Sequence, residues 1–367
     1  MTESAAWLAR PAVRGWRCSP PAKDARAFHA SFAEYRPTPL REVPQLAGEL
    51  GVRRVFIKDE SSRMGLPAFK ILGASWAVAR LVGRRANLRQ PTLEAVRRLA
   101  PPDMTLVTAT DGNHGRAVAH MARLLGIPAR IFVPAVTAPS TIEAIASERA
   151  EVVRIEGDYD QAVRRAAVFA REHAGAELVQ DTAWSGYQEV PAWIVEGYET
   201  LLSETDEQLR AVGATPALVV VPTGVGSLLQ AAIAHYRSTA SPVRSAILSV
   251  EPDSAACVLA SLAAGRPTTV ETDATVMAGL NCGSISLAAW PFVRDGLDAA
   301  IAVDDSDAER AVADLGSLGI SAGASGAATL AGARAALTGS DAAARRRALA
   351  VDAASAVVLL STESARP

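Results

Sequence analysis

The sequence predicts an α/β fold with two open, twisted, mainly parallel sheets that carry helices on both faces. The chain has 367 residues, which at roughly 150 residues per domain is enough for two domains. Short apolar runs alternate with segments of helical periodicity along almost the whole sequence. Strands that are separated by helical segments are joined by crossover connections, and this favours parallel pairing.

The individual elements follow from this alternation. The apolar runs interpreted as strands are Arg54–Ile57, Thr105–Thr108, Arg130–Val133, Val152–Ile155, Leu178–Gln180, Leu218–Pro222, Ala246–Val250, Ala300–Val303 and Val357–Leu360. The clearest helical segments are Gly115–Leu125, Tyr159–His173, Ser227–His235, Asp307–Leu318, and two helices between Ala331 and Ala354. In such sheets ligands bind at the carboxyl ends of strands, so the turns from strand to helix are the places to search for a site.

The composition excludes several classes of protein. Lys plus Arg is 37 and Asp plus Glu is 39, a net charge of −2, which gives no support for a nucleic-acid partner. No window has the ~18 apolar residues of a membrane helix, and the first 25 residues lack a signal-like apolar stretch, so we expect a cytoplasmic protein. Three cysteines do not make a disulfide scaffold, and no metal-ligand spacing is present.

Lysine is rare in this chain, with only Lys23, Lys58 and Lys70 among the 37 basic residues. Lysine can lose its proton and form an imine, whereas a guanidinium cannot. Lys70 follows a polar turn and falls in the first turn of a helix predicted to begin near Phe69. The positive end of the helix dipole favours a neutral amine there. The alternative is an ordinary solvated lysine.

Two glycine-containing turns follow predicted strands. Thr110-Asp111-Gly112-Asn113-His114-Gly115 opens a long helix, whose free N–H groups suit an anion, although Asp111 or Asn113 could simply cap it. Gly224-Val225-Gly226-Ser227 follows an apolar strand and allows backbone N–H groups to approach a phosphate. Leu229 occupies the third glycine position of a dinucleotide motif, which disfavours a nicotinamide cofactor.

The last predicted strand ends in two hydroxyl residues, Ser361 and Thr362. A hydroxyl at this place could meet the ring nitrogen of a cofactor. The alternative is a helix cap or the end of the chain.

Taken together, these segments resemble the tryptophan-synthase-like (fold type II) enzymes that use pyridoxal 5'-phosphate. Among them the chain is most similar to the diaminopropionate ammonia-lyase family. The segments that carry the resemblance are Lys58-Asp59-Glu60-Ser61, Ala68-Phe69-Lys70, Thr110 to Gly115, Gln180-Asp181-Thr182-Ala183-Trp184, Met277-Ala278-Gly279-Leu280, Cys282-Gly283 and Leu360-Ser361-Thr362-Glu363. Many relatives have Ser in place of Asp111, and the aspartate marks the ammonia-lyase branch.

The resemblance implies a role for each site residue. Lys70 would carry the cofactor as an imine and act as a base, while Asp111 and Asp181 flank an amino-acid substrate as catalytic groups. Residues that would contact the cofactor are Lys70, Phe69, Asn113, Gly224, Val225, Gly226, Ser227 and either Ser361 or Thr362. Residues that would line the substrate pocket are Thr110, Asp111, Asp181, Ala278 and Gly279. A second acid–base group besides lysine lets this family deprotonate both enantiomers of 2,3-diaminopropionate.

The resemblance also implies an architecture. The large cofactor-binding domain would comprise residues 1–95 and 188–367 and the small domain residues 96–187, with the cofactor between them, in a homodimer. Cys257 and Cys282 would lie close together near the site entrance, either as a disulfide or as two reduced thiols.

Four positions depart from the usual pattern of the ammonia-lyases: Pro67, the segment Ser284-Ile285-Ser286-Leu287, Ala324 and Ser364. The sequence therefore leaves two reactions open on one fold. The first is α,β-elimination of ammonia from 2,3-diaminopropionate or a close analogue to give a 2-oxo acid. The second is dehydration of hydroxy amino acids, or β-replacement. A non-catalytic cofactor-binding or regulatory protein is disfavoured, because the sequence retains Lys70, Asp111 and the glycine loop.

Overall fold

The structure, a computed structural model, describes residues 5–22 and 24–365, so Lys23 lies outside the described residues. The strands are β1 (Trp7–Ala9), β2 (Leu40–Glu42), β3 (Arg54–Asp59), β4 (Thr105–Ala109), β5 (Ala129–Pro134), β6 (Glu151–Ile155), β7 (Ala176–Leu178), β8 (Pro216–Pro222), β9 (Ala246–Pro252), β10 (Ala299–Val303) and β11 (Ala356–Ser361). The helices are α1 (Asp24–His29), α2 (Pro44–Glu49), α3 (Lys70–Ala86), α4 (Leu93–Leu99), α5 (Asn113–Leu125), α6 (Pro139–Ala146), α7 (Tyr159–Glu172), α8 (Glu189–Ala211), α9 (Ser227–Tyr236), α10 (Cys257–Ala264), α11 (Trp290–Gly296), α12 (Asp305–Ser317), α13 (Ala324–Leu337) and α14 (Ala342–Leu349).

The larger of the two sheets has seven strands in the order β1-β10-β9-β8-β11-β3-β2. Its five inner strands are parallel, and the short edge strands β1 and β2 run antiparallel to their neighbours. The inner strands are buried along almost their whole length, as expected of parallel strands covered by helices on both faces. The edge strands were not predicted, because three residues are too few to show a periodicity.

The smaller sheet has four parallel strands in the order β6-β5-β4-β7. The predicted strand Leu178–Gln180 was displaced by two residues, because β7 ends at Leu178. The side chain of Gln180 instead accepts hydrogen bonds from Thr108 Oγ1 at 2.8 Å and from the Ala109 N–H at 3.0 Å. The chain therefore leaves the sheet just before Asp181. The predicted α/β class, with two mainly parallel sheets, is confirmed.

A buried group of charges anchors the segment that leads to Lys70. Lys58 Nζ lies 2.9 Å from Glu204 Oε2, and Arg63 contacts Glu60 at 2.6 Å and Glu204 at 2.8 Å. All four side chains are fully buried. Arg63 also begins a tight turn closed by backbone hydrogen bonds with Leu66. Opposite charges that hydrogen-bond each other can remain buried, and here they fix the turn that precedes α3.

The helices α3 and α8 approach closely because glycine occurs at their contact. A Cβ atom added to Gly197 would lie 2.4 Å from the Leu72 carbonyl oxygen, and one added to Gly73 would lie 2.6 Å from Tyr198 Cε1. Among the described helices, none is both long and apolar enough to cross a membrane.

We predict that Gly197→Ala lowers the free energy of unfolding by about 1–3 kcal/mol, because the added methyl group meets backbone that cannot move aside. Gly316→Ala on α12 is the control, since no atom lies within 4 Å of the added Cβ. The control should be neutral or stabilising by up to about 1 kcal/mol, because alanine favours a helix. Urea unfolding of both variants checks this, and equal effects would contradict the packing argument.

Candidate active site

A cavity lies where the carboxyl ends of strands from the two sheets meet. Most of its lining residues follow β4, β7, β8 or β11 or lie at the start of α3, and they include most of the predicted site. They are Phe69, Lys70, Thr110, Asp111, Asn113, His114, Tyr159, Asp181, Pro222 to Leu229, Gly279, Leu280, Cys282, Ser325, Thr362 and Glu363. The predicted residues Ala278 and Ser361 are not among the lining residues, although each adjoins one that is.

Lys70 and Asp181 form an ion pair in this cavity. Lys70 Nζ lies 2.6 Å from Asp181 Oδ2, and the side chains are 21% and 4% exposed. Burial acts to lower the pKa of Lys70, but the Asp181 carboxylate outweighs it and raises that pKa above its ordinary value. Conversely, Lys70 outweighs the effect of burial on Asp181 and holds the pKa of that carboxyl far below its usual range.

Asp181 is held on several sides. Tyr159 Oη donates to its Oδ1 at 3.5 Å, and the Ser227 hydroxyl donates to its backbone carbonyl at 2.5 Å. His114 donates from Nε2 to the Val179 carbonyl at 2.7 Å, so its Nδ1 carries the lone pair and stands 3.8 Å from Asp181 Oδ2. Asp181 is therefore oriented both by the helix of the glycine loop and by the small sheet.

The surroundings of Asp111 raise its pKa, whereas those of Asp181 lower it. Burial raises the pKa of Asp111 to about 6, and Lys70 opposes this rise only in part, while Asp181 adds to it. The two carboxyl groups beside Lys70 thus differ, because Asp181 is ionised and Asp111 retains its proton to a higher pH. Two carboxyl groups with pKa values moved apart in this way are suited to separate acid and base roles.

The turn that carries Asp111 is shaped by Thr110. Its Oγ1 accepts hydrogen bonds from the Gly112 N–H at 2.9 Å and the Gly115 N–H at 3.0 Å. A Cβ atom on Gly115 would lie 2.2 Å from Thr110 Cγ2. Sequence reasoning considered Asp111 and Asn113 as the cap of α5, but Thr110 satisfies these N–H groups. The Asp111 side chain is left free to face the cavity.

The glycine loop between β8 and α9 has little room for side chains. A Cβ atom on Gly224 would lie 3.0 Å from Cys282 Sγ and 3.1 Å from the Gly279 carbonyl oxygen. Gly226 has a φ of +94°, in the left-handed region that favours glycine. The loop therefore presents backbone rather than side chains to the cavity, directly before the N-terminus of α9.

Ser361 ends β11 with a buried hydroxyl that has no hydrogen-bond partner in the described part of the chain. A Cβ atom on Gly326 would lie 3.1 Å from this oxygen. Thr362, the next residue, lines the cavity. A buried hydroxyl without a partner is the feature expected where a polar ligand atom binds.

Glu363 and Tyr159 are two of the cavity residues that the sequence did not assign. Glu363 accepts a hydrogen bond from Asn113 Nδ2 and so joins β11 to the start of α5. Glu363 belongs to the segment Leu360-Ser361-Thr362-Glu363 that carries the family resemblance, and this membership was a signal for a site role. Tyr159 begins α7 and carried no such signal, because its contact with Asp181 joins elements that are distant in sequence.

The disulfide considered between Cys257 and Cys282 is not formed, and both thiols are free. Each packs against the backbone of Gly224, with Cys257 Sγ 3.8 Å from the Gly224 carbonyl oxygen. Burial raises the pKa of both thiols well above the ordinary value, which keeps them protonated.

We predict that Asp111→Asn stabilises the cofactor-free protein at pH 7 by about 1–3 kcal/mol. The pKa of Asp111 is about 6 in the folded protein, whereas the ordinary pKa of an aspartate is 3.8. Because the unfolded chain releases this proton at lower pH, the wild type loses stability as the pH rises from 3.8 to about 6. Urea unfolding at pH 4 to 8 should show the advantage of the variant growing through this range. Asp253→Asn, at an exposed position, is the control. A difference in stability between variant and wild type that stays constant at every pH would contradict the raised pKa of Asp111.

Comparison with known proteins places this geometry in a family. The family model described as "Pyridoxal-phosphate dependent enzyme" matches residues 32–360. The chain is 41% identical over 298 residues to diaminopropionate ammonia-lyase of Escherichia coli K12, which covers 80% of this chain and 75% of that enzyme.

Solved structures agree with the sequence comparison. The crystal structure of the Escherichia coli diaminopropionate ammonia-lyase in complex with D-serine superposes with a TM-score of 0.90 at 35% identity, covering 98% of this chain and 94% of that one. The same enzyme in complex with an aminoacrylate-PLP azomethine reaction intermediate gives a TM-score of 0.87 at 35% identity, covering 98% and 93%. This chain therefore belongs to the family of pyridoxal-phosphate dependent enzymes.

Proposed function

We propose that this protein is an ammonia-lyase that eliminates the β-amino group of 2,3-diaminopropionate or a close analogue, giving a 2-oxo acid and ammonia. The observation that carries the proposal is the pair of carboxyl groups beside Lys70, one ionised and one with a pKa raised to about 6. The similarity to diaminopropionate ammonia-lyases over 80% of the chain supports the same reaction.

The residues of the cavity fit pyridoxal 5'-phosphate. Lys70 would bind its carbonyl carbon, with Phe69 packed beside it, and Asn113 would contact the ring hydroxyl. The backbone from Gly224 to Ser227 would hold the phosphate at the N-terminus of α9. Ser361 or Thr362 would face the ring nitrogen, and the buried Ser361 hydroxyl without a partner supports this. When bound, the cofactor supplies an electron sink for the charge left at the substrate α-carbon.

Asp111 is proposed as the proton donor to the departing amino group. An amide ion is a very poor leaving group, so nitrogen must be protonated as the bond to the β-carbon breaks. A carboxyl group whose pKa is raised to about 6 is a better donor than the serine found in many relatives. Asp111 lies on the turn before α5 and lines the same cavity as Lys70, which supports this role.

Lys70 is proposed as the base on one face of the substrate α-carbon. Its ion pair with Asp181 keeps the amine at a fixed position when it is not bonded to the cofactor. The second acid–base group that the family uses for the opposite face is assigned to one of the two aspartates. Thr110 and Gly279 line the remaining substrate space.

A dehydratase of hydroxy amino acids, or a β-replacement synthase, is the second candidate. The positions that depart from the ammonia-lyase pattern border the site. The Ser364 N–H donates to the Pro67 carbonyl at 2.9 Å. This bond joins two of these positions, one three residues before Lys70 and the other directly after Glu363. The Ser286 hydroxyl accepts from the Ala183 N–H at 2.9 Å, two residues after Asp181. Changes here can alter the substrate without altering the cofactor.

The wider assignments are proposals as well. Residues 1–95 and 188–367 are proposed as the large domain and residues 96–187 as the small one. The strands of the seven-stranded sheet lie between residues 7 and 361, those of the four-stranded sheet between 105 and 178, and this supports the division. By its resemblance the protein is proposed to be a cytoplasmic homodimer that binds an amino-acid substrate.

We predict that the holoenzyme releases 2-oxo acid and ammonia from D- or L-2,3-diaminopropionate, and that Lys70→Ala abolishes this release. Each enantiomer, L-serine and L-threonine are assayed separately with added pyridoxal 5'-phosphate. Product from the hydroxy amino acids alone would favour the dehydratase. Turnover that requires a second nucleophile and yields no 2-oxo acid would favour β-replacement.

We predict that Asp111→Asn lowers kcat on diaminopropionate by about 10²–10⁴-fold, the usual range for losing a general acid or base. A substrate analogue whose β-substituent leaves without protonation, such as a β-halogenated alanine, should be affected much less. Steady-state kinetics on both substrates distinguish these outcomes. Full activity of the variant on diaminopropionate would overturn the acid role.

A further inference from the structure

Tyr198 is a fully buried residue next to the site that has no role in the function proposed above. It lies on α8 and is 0% exposed, and its hydroxyl has no hydrogen-bond partner within the residues described. A buried polar group without a partner lowers the stability of the folded protein. Phenylalanine would fill the same volume without this cost, so the hydroxyl itself requires an explanation.

The position of Tyr198 is set by the close contact of α3 and α8. A Cβ atom on Gly73 would lie 2.6 Å from Tyr198 Cε1 and 2.9 Å from the Ile194 carbonyl oxygen. The absence of a side chain at Gly73 therefore admits the tyrosine ring against α3, one turn after Lys70. The rings of Tyr198 and Phe69 also pack together, with 4.7 Å between their centroids.

Tyr198 and Lys70 are close enough for each to influence the other electrostatically. Lys70 Nζ lies 5.5 Å from the Phe69 ring centroid, on which Tyr198 also packs. Asp181 contributes most to the raised pKa of Lys70, followed by Tyr198 and then Asp111. Burial raises the pKa of Tyr198 itself, so its hydroxyl is neutral.

The ammonium of Lys70 has unused donors. An ammonium group has three N–H donors, and the one hydrogen bond found for Lys70 Nζ in the described chain goes to Asp181. A buried cation is costly unless its donors are satisfied. The hydroxyl oxygen of Tyr198 is a neutral acceptor on the facing helix α8, and it interacts with the charge of Lys70. Each group lacks what the other offers.

We propose that Tyr198 is a positioning residue for Lys70, whose hydroxyl accepts a hydrogen bond from the Lys70 ammonium after that lysine has taken a proton from the substrate. The hydroxyl holds the protonated lysine near the reacting carbon and leaves its positive charge in place. A second carboxylate at this position would instead neutralise that charge. The unmatched hydroxyl is then the cost of keeping an acceptor ready for one step of turnover.

The first test measures the pKa of the Lys70 amine in the cofactor-free protein, where it does not depend on any substrate. Acetylation of Lys70 by acetic anhydride is followed against pH by peptide mass spectrometry, which is simple because the chain has three lysines. Tyr198→Phe should lower this pKa by about one unit, the effect of one hydrogen bond to a charged group. Tyr236→Phe is the control, a fully buried tyrosine on α9 that donates to Asp206 at 3.2 Å. An unchanged Lys70 pKa in Tyr198→Phe would overturn the proposal.

The second test uses the two enantiomers of diaminopropionate and rests on the proposed function. If Lys70 is the base for one enantiomer, Tyr198→Phe should lower kcat for that enantiomer about tenfold with little change in KM, and spare the other. An equal loss on both enantiomers would indicate a purely structural role. If neither enantiomer is a substrate, the proposed function fails, while the Lys70 pKa still decides the role of Tyr198.

Measurements of stability further distinguish a positioning role of Tyr198 from a purely structural role. Tyr198→Phe keeps the buried ring and should leave the urea midpoint of the cofactor-free protein nearly unchanged, because the burial cost of the hydroxyl and its stabilisation of the Lys70 ammonium act in opposite directions. Tyr236→Phe removes the donor to Asp206 Oδ1, while His235 still contacts Oδ2, and this variant should lower the midpoint. A Tyr198→Phe variant that fails to fold would show that the hydroxyl is a structural partner, and would overturn the proposal.

Discussion

The ion pair between Lys70 and Asp181 is the interaction on which the site depends. Lys70 begins the helix after β3 of the seven-stranded sheet, and Asp181 follows β7 of the four-stranded sheet, so their 2.6 Å contact joins the two halves of the cavity. A buried ion pair is stabilising only if its remaining donors and acceptors are satisfied. Those of Asp181 are largely satisfied, whereas those of Lys70 are not. The lysine is therefore the group that is free to change partners.

The surroundings of this pair restrict where the lysine can move. The buried charges of Lys58, Glu60, Arg63 and Glu204 fix the turn before α3, and the glycine contacts fix α3 against α8. A reactive amine placed on the first turn of a rigid helix is held more accurately than one on a loop. The glycine loop before α9 adds backbone to the lining of the cavity. The large sheet thus supplies a rigid support, and the small sheet contributes acids whose charge states can differ.

The difference in pKa between Asp111 and Asp181 arises mainly from their unequal interaction with Lys70. Both carboxyl groups are enclosed, and burial acts to raise the pKa of each. Asp181 contacts Lys70 directly and stays ionised, whereas Asp111 receives only part of that stabilisation and is also repelled by Asp181. One lysine thereby gives two like residues unlike chemistry. The proposed acid and base roles follow from this asymmetry, and they would change if the lysine were bonded elsewhere.

The sequence alone determined the α/β class, the order of most strands and helices, and the strand-to-helix turns that carry the site. These are local properties, because periodicity and glycine-rich turns are written in short segments. It could not show that Thr110 rather than Asp111 satisfies the start of α5, nor that β7 ends before Asp181. The contacts of Tyr159, Glu363 and Tyr198 likewise join residues far apart in the chain. Only the tertiary structure decided these, since a side chain's pKa and partners depend on which distant elements pack around it.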